Sequence, residues 1–116
     1  METAEIKNSL GTIRISDQVI ASIAQAAVKG IYAMDDRFSH AISSVINDEE
    51  TRGIRVSIDN KSIVVDLYVA VYHGDRIPAI ALNLQEIVKE EILDSAGIRV
   101  TAVNVNVQKV VFDKER

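Results

Sequence analysis

Cysteine is absent from this 116-residue chain, which excludes disulfides, thiolate zinc sites and cysteine nucleophiles and suits a reducing compartment. Tryptophan is absent as well. Aromatics make up 4% of residues against 47% hydrophobic overall, so the core has to be built from Ile, Val, Leu and Ala. Basic side chains are outnumbered by acidic ones, 13 to 17, for a net charge of −4 with neutral histidines. With no Lys/Arg cluster along the chain, net electrostatic attraction to nucleic acid phosphates or anionic lipid is missing. Long apolar runs are missing too: none approaches the ~20 residues needed to cross a bilayer. Met1 to Leu10 lacks the basic start and apolar stretch of a signal peptide.

Sites of chemistry are equally sparse. His40 and His73 stand far apart with no metal-ligand spacing around them. The serines lack the G-x-S-x-G turn that exposes a nucleophile. The five glycines are scattered one by one rather than gathered into a phosphate-binding loop. Glu49-Glu50 and Glu90-Glu91 are sequence neighbours, whose side chains diverge on a helix. The expectation is a chain with no catalytic residue, no metal and no cofactor.

What is present is regular patterning. Residues 1–10 read as a flexible arm. Gly11-Thr12-Ile13-Arg14-Ile15 alternates polar and β-branched apolar residues, as a half-buried strand does. Ser16 is a good N-cap, Asp17 suits a first turn, and Val19, Ile20, Ile23, Ala24 and Ala27 draw one stripe along a helix that Gly30 is expected to end. Ala41, Ile42, Val45 and Ile46, with Ser39 as cap, suggest one or two further helical turns between two charge runs.

From Gly53 the pattern is a hairpin. Ile54, Val56 and Ile58 alternate with polar residues, Asp59-Asn60-Lys61 supplies the turn, and Ile63, Val65, Leu67, Val69 and Val71 mark one face of a long strand. Pro78 suits a first helical turn, Leu84, Val88 and Ile92 lie on its apolar face, and Gly97 is the expected stop. The last strand is expected from about Arg99 to Val107, and on toward Phe112. The order is strand, helix, strand, strand, helix, strand. It predicts an α+β two-layer sandwich, with a four-stranded sheet carrying both helices on one face.

Such a sheet has a second face. Asp66, Tyr68 and Tyr72 are expected on it from the long strand, and Asn104 and Asn106 from the last strand. An antiparallel sheet can turn one face to water without further purpose. Two successive outward tyrosines flanked by amides nevertheless match the composition of interface cores, which makes these five residues candidates for partner binding. The same element order occurs in RNA-recognition domains. The first strand here brings no aromatic, the Lys/Arg-Gly-Phe pattern is missing and no G-x-x-G loop stands in for it, so nucleic acid is not expected as a partner.

Taken in order, the blocks resemble the alkaline shock protein family, the general or envelope stress response family of Gram-positive bacteria. The resemblance covers about residues 10–112. It rests on Gly11-x-Ile13-x-Ile15-Ser16, then Val19-Ile20-Ala21-x-Ile23-Ala24, Gly30-Ile31 with Met34, and Gly53-Ile54-x-Val56. It continues through Val65-Asp66-Leu67-Tyr68-Val69, Gly74-x-x-Ile77-Pro78, Gln85-Glu86-x-Val88, Gly97-Ile98-x-Val100 and Val103-Asn104-Val105-x-Val107. His73 departs from it, standing where an aromatic is common in the family.

The resemblance implies one alkaline-shock-type domain over 11–112, with a short tail at 113–116. It implies a non-enzymatic, cytoplasmic protein of cell-envelope homeostasis and stress, in a family whose members tend to self-associate as homo-oligomers and some of which are held at the inner membrane face by a membrane-anchored partner. The alternative, also suggested by small family members, is a sensor or regulator of lipid metabolism that takes an acyl or CoA-type ligand between helix and sheet.

Overall fold

A computed structural model describes residues 2–34, 53–60, 62–74 and 76–111 of the chain. The expected helical turns around Ala41, Ile42, Val45 and Ile46, along with Ser39, His40, Phe112 and the 113–116 tail, lie outside these residues.

The fold is α+β, but it opens with an unexpected strand. Thr3–Asn8 forms β1 and pairs antiparallel with β2, Gly11–Ser16, in register from Thr3 against Ser16 to Asn8 against Gly11. The reading of residues 1–10 as a flexible arm is therefore corrected over this stretch. Asn8 closes the turn by accepting the Leu10 N–H on its side-chain oxygen at 2.8 Å, as turn asparagines do. Alternation then works as it should: Ala4, Ile6 and Ile15 turn to the core, while Glu5 and Arg14 face each other on the outside.

The chain passes from β2 straight into α1, Asp17–Met34. Ser16 caps it, its Oγ accepting the Val19 N–H at 3.3 Å. Gly30 does not end this helix. One helical glycine costs only about 1 kcal/mol relative to alanine, which packing readily overrides. Ile20, Ala24, Ala27 and Val28 are buried, and Val19, expected on the same stripe, is 46% exposed.

The second sheet has three strands in the order β3-β4-β5. β3 (Ile54–Asp59) and β4 (Ser62–Tyr72) make the expected antiparallel hairpin, closed by the pair Asp59 and Ser62. A helix, α2 (Ile77–Ala96), then carries the chain back so that β5 (Ala102–Val111) lies parallel to β4. Parallel neighbours need such a crossover, because no tight turn can reverse the chain between them. The four-stranded sheet expected from the sequence is thus replaced by a two-stranded and a three-stranded sheet. The strand at 11–16 takes its partner from the ten residues before it.

α2 starts and stops as read. Pro78 lies in its first turn, and Gly97 caps its end in the left-handed region at φ 69°, donating its N–H to the Leu93 carbonyl at 2.9 Å. The strand after it begins at Ala102, later than expected, because residues 97–101 are spent on leaving the helix and joining the sheet edge. Thr101 fixes that junction twice: its N–H donates to the Ile63 carbonyl at 2.7 Å, and its Oγ1 accepts the Ile63 N–H at 3.0 Å.

One aliphatic cluster holds these elements together. Val65, Leu67 and Val69 of β4 meet Ile20 and Ala24 of α1, Leu84, Val88 and Ile92 of α2, and Val103 of β5. Among the described residues no polar or charged side chain is buried. A half-buried polar tie links helix to sheet, with Gln85 Nε2 donating to the Val103 carbonyl at 2.8 Å. Gln85→Ala strips that carbonyl of a partner and is expected to lower stability by about 1 kcal/mol, read from urea unfolding. An unchanged midpoint would mean that water replaces the amide without loss.

Candidate partner-binding face

β4 presents its odd residues to the core, so its even residues form the opposite face of the sheet. The strand register sets them in rows. Arg55, Asp66 and Asn104 stand side by side across β3, β4 and β5; Ser57, Val64 and Ala102 make the neighbouring row. Tyr68 lies beside Asn106.

Four of the five sequence candidates therefore form one contiguous patch. Asn104 Nδ2 donates to Asp66 Oδ1 at 3.0 Å, a bond between side chains that ties β5 to β4 on the solvent side. Asn106 is used differently: its Nδ2 donates to the Leu67 carbonyl at 3.2 Å, so part of its hydrogen-bonding capacity serves the sheet itself. Tyr68 is partly exposed, and its N–H donates to the Gly53 carbonyl at 2.9 Å, which holds the strand entry against β4. Tyr72, the fifth candidate, ends β4 in register with Val111. Between Tyr68 and Tyr72 the β4–β5 register shifts at Val69/Ala70, so the pairing that sets the first rows is not continued unbroken to Tyr72.

The patch offers one cation, one carboxylate, two amides and a phenol ring within a few strand spacings, and the asparagine bonds hold the rows in place before any partner arrives. Arg55 belongs to this patch by register; alternation along 54–59 was the signal that could have promoted it to a candidate. Among the described residues, no group of three His, Cys, Asp or Glu side chains could hold a metal ion. No described helix is long and apolar enough to cross a membrane.

A concavity lies beside β1, next to the β3–β4 turn. A cleft of about 640 Å³ separates β1 from the β3–β4 turn and the segment after α2. Its walls include Glu5, Ile6, Ile58, Asp59, Ile98 and Arg99. Sequence reasoning missed it because the walls come from segments separated by dozens of residues, and no local pattern announces that they meet.

Residues 5–112 match the family model of the alkaline shock protein 23 family, described as having a cell envelope-related function. The chain belongs to this family, and its role is envelope-related. It is similar to the uncharacterized protein YloU of Bacillus subtilis, 30% identical over 112 residues, covering 91% of this chain and 93% of that one. It is also similar to the uncharacterized protein Spy1535 of Streptococcus pyogenes, 28% identical across 90% of this chain and 83% of its relative. YqhY, a further uncharacterized protein of Bacillus subtilis, is 26% identical across 90% of this chain and 80% of its own length. No solved structure matches.

Proposed function

We propose that this chain is a non-enzymatic envelope-stress protein that works on the cytoplasmic side, through self-association and through binding a membrane-linked or metabolic partner. The outer face of the three-stranded sheet is the docking surface, with Asp66, Tyr68, Tyr72, Asn104 and Asn106 as its contact residues. One observation carries the reading: the face has a row of polar side chains ordered by hydrogen bonds such as Asn104 to Asp66, and a partly exposed tyrosine stands next to it. Family membership supplies the envelope context. Self-association is supported by charge as well. Arg55 and Asp66 sit in register on neighbouring strands, so a copy related by a two-fold axis can set its Asp66 against this Arg55 and the reverse.

Light scattering of the native protein beside Tyr68→Ala/Tyr72→Ala tests the interface. The native chain is expected to run heavier than a monomer and the double variant to shift toward the monomer. Monomers in both samples, together with an affinity capture from native cells that retains no protein through this face, would remove the reading.

A further inference from the structure

We propose that the cleft beside β1 takes up an extended, Lys- or Arg-bearing segment of another protein, which adds to β1 as a further strand.

The backbone of β1 sets up the first half of this inference. The Asp17 N–H donates to the Glu2 carbonyl at 3.0 Å, so the backbone polar groups of Glu2 point toward β2. In an antiparallel pair this direction alternates from residue to residue. Ala4, Ile6 and Asn8 therefore also bond toward β2, and Thr3, Glu5 and Lys7 turn their N–H and C=O groups to the other edge, which pairs with no strand among the described residues. The two-residue turn between Asn8 and Gly11 demands the same parity. A free edge of this kind is a template for strand addition.

The cleft lies along that edge. Its lining takes in Glu2 through Ile6 without a gap and includes no residue of β2. Ile6, Ile58, Ile63 and Ile98 give it an apolar lining suited to alternate side chains of an incoming strand. Among the residues around it the acidic Glu2, Glu5 and Asp59 stand against the basic Arg99. Glu5 also meets Arg14 at 3.8 Å, an exposed contact of small energetic worth that leaves Glu2 and Asp59 as the acidic residues with no ion pair among the described residues. Charged residues commonly guard free edges against like chains. Here acidic residues outnumber the one basic residue of the cleft lining, so the same edge of a second copy meets like charge and a cationic strand is selected, with Lys7 alone of opposite sign further along β1.

The test uses the full chain, isotope-labelled, titrated with two synthetic hexapeptides, KVKIKV and its charge-inverted counterpart EVEIEV, with amide shifts followed by NMR. KVKIKV is expected to move the signals of Thr3, Glu5, Lys7, Asn60 and Arg99, while EVEIEV leaves them in place. Glu5→Lys/Asp59→Lys is expected to weaken KVKIKV roughly tenfold or more, as loss of complementary charge does. Thr3→Pro removes an outward N–H while keeping every carboxylate, and is expected to weaken it as well. Unmoved Ile15 and Asp17 signals verify that the β1–β2 ladder survives the proline; if they move, the charge-reversed pair decides the matter. The proposal is overturned if KVKIKV shifts nothing up to millimolar concentration, or if both peptides act alike. It is equally overturned if shifts fall only on Arg55, Tyr68 and Asn104, or if the same edge signals move with protein concentration alone, which would make a second copy the occupant.

Discussion

Leu67→Ala is expected to destabilise the protein by about 3 kcal/mol, within the range found for truncating enclosed leucines. Leu67 is 1% exposed, and it stands on the central strand with Ile54 in register on one side and Val105 on the other. Truncation there opens a void that neither neighbour can fill without leaving its own ladder. Removing the transfer energy of the lost methyl groups and leaving a residual cavity both act in the same direction. For a chain of this size the melting temperature should fall by roughly 10 °C. Urea unfolding checks the free energy directly, and the m-value should stay constant if the denatured state is untouched. A loss below about 1 kcal/mol would show that the site collapses around the alanine and that the sheet is more compliant than its burial implies.

Gly97→Val is the second large effect, expected at about 2 kcal/mol or more, with Gly97→Ala nearer 1–2 kcal/mol. Gly97 sits at φ 69° at the end of α2, where its N–H closes the last helical turn on Leu93. Two causes could make a side chain unwelcome there, and the geometry separates them. A Cβ added at Gly97 would come to 3.8 Å from Ile6 Cδ1, which is ordinary van der Waals contact. Space for a Cβ is therefore sufficient, and the cost of Gly97→Ala lies in the left-handed backbone. A double-mutant cycle tests this attribution: Ile6→Ala should add to Gly97→Ala without rescuing it, since relief of a clash would appear as a favourable coupling. Gly97→Asn should recover part of the loss, because asparagine tolerates that region.

These two sites show how unevenly the fold was legible. Gly97 could be read in advance. A glycine following an apolar stripe is a local signal, and the backbone uses it as the signal suggests. Leu67 could be assigned to the core from alternation, but not its central place. Nothing between Ser62 and Tyr72 says that β5, some forty residues on, will lie parallel to it. Alternation fixes which side of a strand meets the core and is silent about which strand lies beside it.

The candidate face was legible for the same reason. Counting in twos puts Asp66, Tyr68, Asn104 and Asn106 outward, and the register sets Asp66 beside Asn104 and Tyr68 beside Asn106. Their division of labour was not legible, because the Asn104–Asp66 bond and the turn of Asn106 toward the Leu67 carbonyl depend on how two strands are staggered. β1 was missed because only Ala4 and Ile6 mark its apolar side, and alanine is a weak strand signal.

The sequence by itself determined an aliphatic core without aromatics, the kind and facing of most elements, the cap at Ser16 and the end of the second helix at Gly97. These are local matters of side-chain volume, period and backbone freedom. Tertiary structure alone decided that the strand at 11–16 pairs with 3–8 instead of joining a four-stranded sheet, that α1 continues through Gly30, and that a cleft opens along β1. Each of those outcomes depends on which surfaces compete for burial once the chain is compact, and no window of neighbouring residues contains that competition.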